Sequence, residues 1–143
     1  MRYRKYLRER YRILASYVGL ILAVVGGTLL VPLLVIAFYP DEVVYADSIL
    51  LSAVPLIVIG LVIWRLLKPQ TVANLTLQEG AVIILFAWTV AVLAATPPLM
   101  GISGLTFSQA LFESTSGWTT TGLTVMDVEN TPRIVLFLRS VIH

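Results

Sequence analysis

From Ile13 to Phe38 the chain carries no charged residue over 26 positions. At about 1.5 Å per residue, a helix of that length crosses a ~30 Å hydrocarbon core with room for tilt. Two more uncharged apolar runs follow, Ser48 to Trp64 and Gly80 to Met100. Inside a bilayer every backbone polar group must be bonded within the protein, so runs of this kind fold as helices. Composition agrees. The chain is 58% hydrophobic and 13% charged, with a mean hydropathy of +0.91, outside the range of a soluble domain. It has no cysteine, which excludes a disulfide framework and a thiolate metal site. The expected class is an all-α integral membrane protein.

The polar punctuation gives the expected topology. Met1 to Arg12 holds Arg2, Arg4, Lys5, Arg8, Arg10 and Arg12 against Glu9, with Tyr3, Tyr6 and Tyr11 interleaved. A basic aromatic segment can bind nucleic acid. Immediately ahead of an apolar run, its expected role is to keep that flank in the cytoplasm. Pro32 is expected to kink the outer end of the first span. Tyr39-Pro40-Asp41-Glu42 is expected to form an acidic outer loop, with Asp47 further on. Trp64, Arg65 and Lys68 mark the inner interface, and Pro69 to Gln78 a short connection. Glu79 starts the third helix, favoured there by the helix dipole. Thr96-Pro97-Pro98 is expected to end it near the outer surface. Ala15, Gly19, Ala23 and Gly27 recur every four residues and form a small-residue ladder for close helix approach. Ala87, Ala91 and Ala95 form a second.

After the third run comes a stretch too polar to be a span. Phe112 to Thr124 reads FESTSGWTTTGLT, with one carboxylate, two glycines and seven hydroxyl residues. Ahead of it, Thr106 can cap a short helix and Gln109 can return the bond, a capping box. A helix from Phe107 to Ser116 is about 15 Å long, half of a span. Gly117 is expected to end it. A half-length helix followed by an extended threonine/glycine segment has the shape of a re-entrant pore loop. Such backbone survives at membrane depth only when buried in protein or lining a wet cavity. Its carbonyl oxygens can replace the water shell of a cation, as in the TVGYG loop of potassium channels. Thr120-Thr121-Gly122-Leu123-Thr124 matches that loop at its first threonine and first glycine, and lacks the later Tyr-Gly pair. Thr131 and Pro132 are expected at the N-cap and first position of a further helix heading inward.

These residues carry a family resemblance. FESTSGWTTTGLT, with Thr131-Pro132-Arg133 and Phe137-Leu138-Arg139, resembles the first pore loop of Trk-type potassium transporters of the Trk/Ktr/HKT superfamily. The specific likeness covers Leu105 to His143. The family resembles four fused helix–loop–helix repeats behind two leading helices. The resemblance therefore implies three transmembrane helices, a re-entrant pore helix with filter loop, and the start of a further transmembrane helix. It implies residues 1–12 as a basic cytoplasmic N-terminus, 13–79 as the two leading helices, and 80–143 as an incomplete first repeat. One loop is a quarter of a filter, so the chain is expected to be part of a longer one and not to conduct alone. The resemblance also implies K⁺ uptake across the inner (plasma) membrane, a homodimer in the lipid bilayer, and a cytoplasmic nucleotide-binding regulatory subunit.

Thr120 and Thr121 are expected to offer carbonyls to a dehydrated K⁺, with Thr119, Gly122 and Leu123 adjoining. A bare monovalent cation needs several weak oxygen dipoles, not a carboxylate cage, and the stretch 114–124 is free of acids. Ser116, at the end of the pore helix, supports the filter by directing the negative end of the helix dipole at the ion path. Glu113 is an ionisable residue in an intramembrane helix, which marks it as functional. Its expected role is to accept hydrogen bonds behind the filter; direct attraction of cations is the alternative. Arg139 pairs with a carboxylate or lies at a subunit contact. His143 is the sole histidine, and no acidic cluster has metal-ligand spacing, so no divalent site is expected. No nucleophile–base set or phosphate-binding glycine loop points to an enzyme, and nothing calls for a nucleic-acid partner. Two other functions stay open: a non-conducting membrane scaffold or truncated paralogue, and a Na⁺-permeable relative. By resemblance, serine at the position of Gly122 goes with Na⁺ permeability.

Overall fold

The computed structural model describes residues 2–67 and 75–143, with side chains from residue 9 onward. Five α-helices follow in order: α1 (Arg2–Leu30), α2 (Ala46–Leu67), α3 (Leu77–Ser103), α4 (Phe107–Trp118) and α5 (Arg133–Ile142). Two 3-10 helices, Val31–Ala37 and Pro40–Tyr45, join α1 to α2. No strand occurs among the described residues. Three helical stretches are long and apolar enough to cross a membrane: Glu9–Ala37, Pro40–Leu67 and Leu77–Ser103. Their outer faces keep large apolar residues exposed, Leu51, Val82 and Leu85 among them, as lipid-facing helices do. Lys68 and the first part of the connection expected from Pro69 to Gln78 lie outside the described residues.

Tight backbone contact joins α1 to α2. A Cβ on Gly60 would lie 2.5 Å from the Ala23 nitrogen and the Gly19 oxygen, so only glycine fits. Gly26 is similarly close to the Ala53 carbonyl. The expected ladder on α1 is thus only partly used. Gly19 and Ala23 face α2, whereas Gly27 has open space where a side chain would stand. At the other end of the bundle, Leu29, Ile49, Ala53, Ala95, Leu99, Ile102, Ala110, Ile134, Val135 and Leu138 form one buried core. This core holds α4 and α5 against the ends of the long helices.

Local signals explain many boundaries, and several others depart from expectation. The kink expected at Pro32 is a switch from α to 3-10 geometry at Val31. The loop expected at Tyr39 to Glu42 becomes a 3-10 turn begun by Pro40. Thr96-Pro97-Pro98 does not end α3, which continues to Ser103 and stops at Gly104 in the left-handed region (φ +65°). Prolines cost backbone bonds, but a buried helix still satisfies more polar groups than a loop would. Just before the pair, the Val92 carbonyl accepts from Thr96 Oγ1 at 2.8 Å and from Ser114 Oγ of α4 at 2.7 Å. The start of α3 is set by Thr76, whose hydroxyl and backbone form a capping box with Glu79. Arg10 of α1 meets Glu79 at 2.6 Å.

Pro132, not Thr131, is the N-cap residue of α5. The Thr131 hydroxyl is diverted to the Asp127 carbonyl at 2.6 Å. The free amides of the first turn instead reach across the molecule. Arg133 N–H donates to Glu42 Oε1 at 3.0 Å and Ile134 N–H to Glu42 Oε2 at 2.6 Å.

Candidate functional site

The short helix α4 begins as its sequence prescribes. Thr106 is the N-cap, its hydroxyl accepting from Gln109 N–H while the Gln109 side chain accepts from Thr106 N–H. Twelve residues make it about 18 Å long, too short to span. Its end differs from expectation. Gly117 lies inside α4, buried, and the helix runs to Trp118 with Thr119 as C-cap. The glycine is there for space: a Cβ would sit 2.7 Å from both Cγ1 and Cδ1 of Ile142 on α5.

The helix ends by a change of hand in the residues that follow. Thr120 has φ +55° and Gly122 φ +76°. Glycine adopts this region freely, but a β-branched threonine there is an outlier, held by its surroundings. The surroundings are short hydrogen bonds. Thr119, Thr120 and Thr121 N–H groups donate to the carbonyls of Thr115, Gly117 and Ser116 at 2.9, 2.9 and 3.0 Å. The Thr119 hydroxyl has one proton and gives it to the Thr115 carbonyl at 2.7 Å. The Thr121 hydroxyl, 2.7 Å from Thr119 Oγ1, is therefore the donor of that pair.

Behind this segment lies Glu113, only 1% exposed. Its Oε1 accepts from Thr124 Oγ1 at 2.7 Å, from Met126 N–H at 3.2 Å and from Val125 N–H. Arg139 Nη1 of α5 stands 3.2 Å from Oε2. Among the described residues Oε2 has no directed hydrogen bond, so this second contact is ionic. The same guanidinium turns its Nη2 to the carbonyls of Leu123 at 2.6 Å and Gly122 at 3.3 Å. Ser116 Oγ also donates to the Leu123 carbonyl, at 2.7 Å. Both lone pairs of that carbonyl are thus engaged on the protein side. No donor among the described residues reaches the carbonyls of Thr119, Thr120 or Thr121.

The sequence-predicted residues therefore come together as one unit. Thr119 to Leu123 form the turn and extended strip; from α4, Ser116 binds the strip at Leu123 and Glu113 binds the three residues after it. Glu113 is a hydrogen-bond acceptor for the chain after Gly122. Sequence reasoning did not identify Thr124, Val125 and Met126 as its partners, nor the reach of Arg139 to two carbonyls. One signal was available: Glu113 is the one charged residue of α4, Arg139 is an opposite charge within α5, and such charges pair in an apolar setting. Glu42 at the head of α5 carried no local signal.

Three membrane-length apolar helices followed by a half-length helix and a tethered polar loop define a multi-pass integral membrane protein. The family model described as TrkH, cation transport protein, matches residues 48–143. The chain belongs to this family. It is 33% identical over 124 residues to an uncharacterized cation transporter of Methanocaldococcus jannaschii, covering 85% of this chain and 25% of that one. It is 31% identical over 138 residues to the Trk system potassium uptake protein TrkH of Escherichia coli, covering 93% and 28%. With TrkG of Escherichia coli the identity is 33% over 132 residues, covering 90% and 27%. The chain spans about a quarter of the length of these relatives.

Proposed function

We propose that this chain supplies one re-entrant pore loop for the uptake of K⁺ across the cell (inner) membrane. The relatives named potassium uptake proteins support the substrate. The observation that carries the reading is the one-sided tethering of residues 119–124. Glu113, Ser116 and Arg139 engage the loop through Leu123, Thr124, Val125 and Met126, while the carbonyls of Thr119, Thr120 and Thr121 lack a donor among the described residues. Left-handed residues at Thr120 and Gly122 interrupt the alternation of an extended strand, so neighbouring carbonyls can share a side. Thr120 and Thr121 present the main ligand oxygens, Thr119 and Gly122 adjoin them, and Leu123 bounds the site. The C-terminal end of α4 adds its negative dipole end. A dehydrated K⁺ is met by dipoles, with the carboxylate of Glu113 kept behind them and neutralised by Arg139.

In this reading the basic N-terminus is cytoplasmic, the three spans end outside, and α4 dips back from the outer face. Asp41 and Asp47 are extracytoplasmic, and Asp127 and Glu129 lie at the outer mouth. Residues 13–79 are the leading helices and residues 80–143 the first helix–loop–helix repeat. Further loops of the longer protein complete the filter. A homodimer and a cytoplasmic nucleotide-binding subunit complete the system. The test is cation flux into vesicles reconstituted with the full-length protein containing this sequence. K⁺ entry well above Na⁺ entry is expected, and its loss on Thr121→Pro at normal yield. Equal entry of both ions, or none, overturns the proposal.

A further inference from the structure

We infer that Glu42 is a positioning residue for the filter loop, acting through α5 and Arg139. The inference rests on the proposed filter. α5 has Pro132 as its N-cap, which offers no side-chain bond to the first turn. Two of its orphan amides, those of Arg133 and Ile134, donate to the two oxygens of Glu42 at 3.0 and 2.6 Å. The carboxylate comes from the turn between α1 and α2, 91 and 92 residues away along the chain. Its charge suits the positive end of the helix dipole. A second contact from the same turn holds the same helix end: the Arg133 guanidinium lies 4.0 Å above the centre of the Tyr39 ring.

The clamp continues to the filter. Arg139 lies six residues after Arg133, about 9 Å along the axis. It bonds the carbonyls of Leu123 and Gly122 and faces Glu113. Ile142, at the far end of α5, fits against Gly117 of α4. The axial position of α5 therefore sets where the guanidinium meets the loop. Glu42 fixes that position from a hairpin outside the helix–loop–helix unit. A cap that only stabilised α5 would change melting temperature and leave the loop untouched.

Two readouts on the full-length protein separate these roles: the K⁺/Na⁺ permeability ratio in vesicles, and hydrogen exchange of the amides of Val125 and Met126. Glu42→Ala should lower the ratio by about two- to tenfold and speed exchange at both amides. Glu42→Gln, which keeps the shape and loses the charge, should fall between it and the parent. Combined with Arg139→Gln, Glu42→Ala should lower the ratio no further. A lower melting temperature with unchanged ratio and unchanged exchange overturns the inference, as does an equal drop in the Arg139→Gln background. If Glu42→Ala does not accumulate, Glu42→Gln decides by the same criteria. A parent protein without K⁺ preference defeats the proposed filter, and the exchange measurement still decides whether Glu42 orders the loop.

Discussion

Arg139 of α5 and Glu113 of α4 face each other at 3.2 Å behind the Thr119–Leu123 strip; Arg139 also binds that strip, and Glu113 binds the residues that follow it. Glu113 takes the amides and hydroxyl after Gly122, and Arg139 takes the carbonyls of Gly122 and Leu123. The pair thus holds both polarities of one stretch of backbone. Each charge makes the other tolerable in an apolar setting.

Removing one member leaves the other uncompensated. Breaking a buried pair in this way costs about 3–5 kcal/mol. Glu113→Gln and Arg139→Gln should each lower the melting temperature of the full-length protein strongly. The double variant should lose less than the sum of the singles, because no bare charge remains. Additive losses in thermal melts would mean that the two residues act independently.

The α1–α2 interface gives a sharp contrast between two glycines. Gly60→Ala inserts a methyl 2.5 Å from backbone atoms of Ala23 and Gly19, which cannot move singly. Overpacking of this kind costs about 1–3 kcal/mol. Gly27→Ala enters open space and should be neutral or mildly stabilising. Melting curves of both variants, compared with the parent, check this; equal behaviour would contradict the packing.

Much of this arrangement was legible in the sequence, and the exceptions have physical causes. The three long helices follow from uncharged runs, and the start of α4 from Thr106 and Gln109. Gly117 misled because a glycine reads locally as a stop, whereas here it makes room for Ile142, a contact across 25 residues. Pro97 and Pro98 misled because the rule that prolines end helices assumes water is available to the freed carbonyls. The head of α5 misled because Thr131 has a competing local acceptor and Glu42 comes from a distant turn. Periodicity and capping patterns are local, so they carry no record of such contacts. The role of Arg139 needed the positions of α4, α5 and the loop together.

Topology is open to a labelling test. Asp41 is exposed in the turn between the first two spans, and the acidic turn should lie outside. Asp41→Cys should react in intact cells with a membrane-impermeant thiol reagent, whereas Arg4→Cys should react only after permeabilisation. The chain has no native cysteine within residues 1–143 to confuse the signal. The opposite pattern would invert the orientation and put the loop on the inner face.

The most direct test is the K⁺/Na⁺ permeability ratio of Gly122→Ser in the full-length protein, measured in reconstituted vesicles alongside yield. Gly122 holds φ +76° beside the threonine carbonyls, a backbone state that serine adopts only under strain. Selectivity is a difference of affinities, so a differential loss of about 1.4 kcal/mol lowers the ratio tenfold. The helices that carry the packing lie elsewhere, so yield should suffer less than the ratio. A clear fall in the ratio at near-normal yield is the predicted result. An unchanged ratio at normal yield would contradict the assignment of residues 119–122 to the ion path.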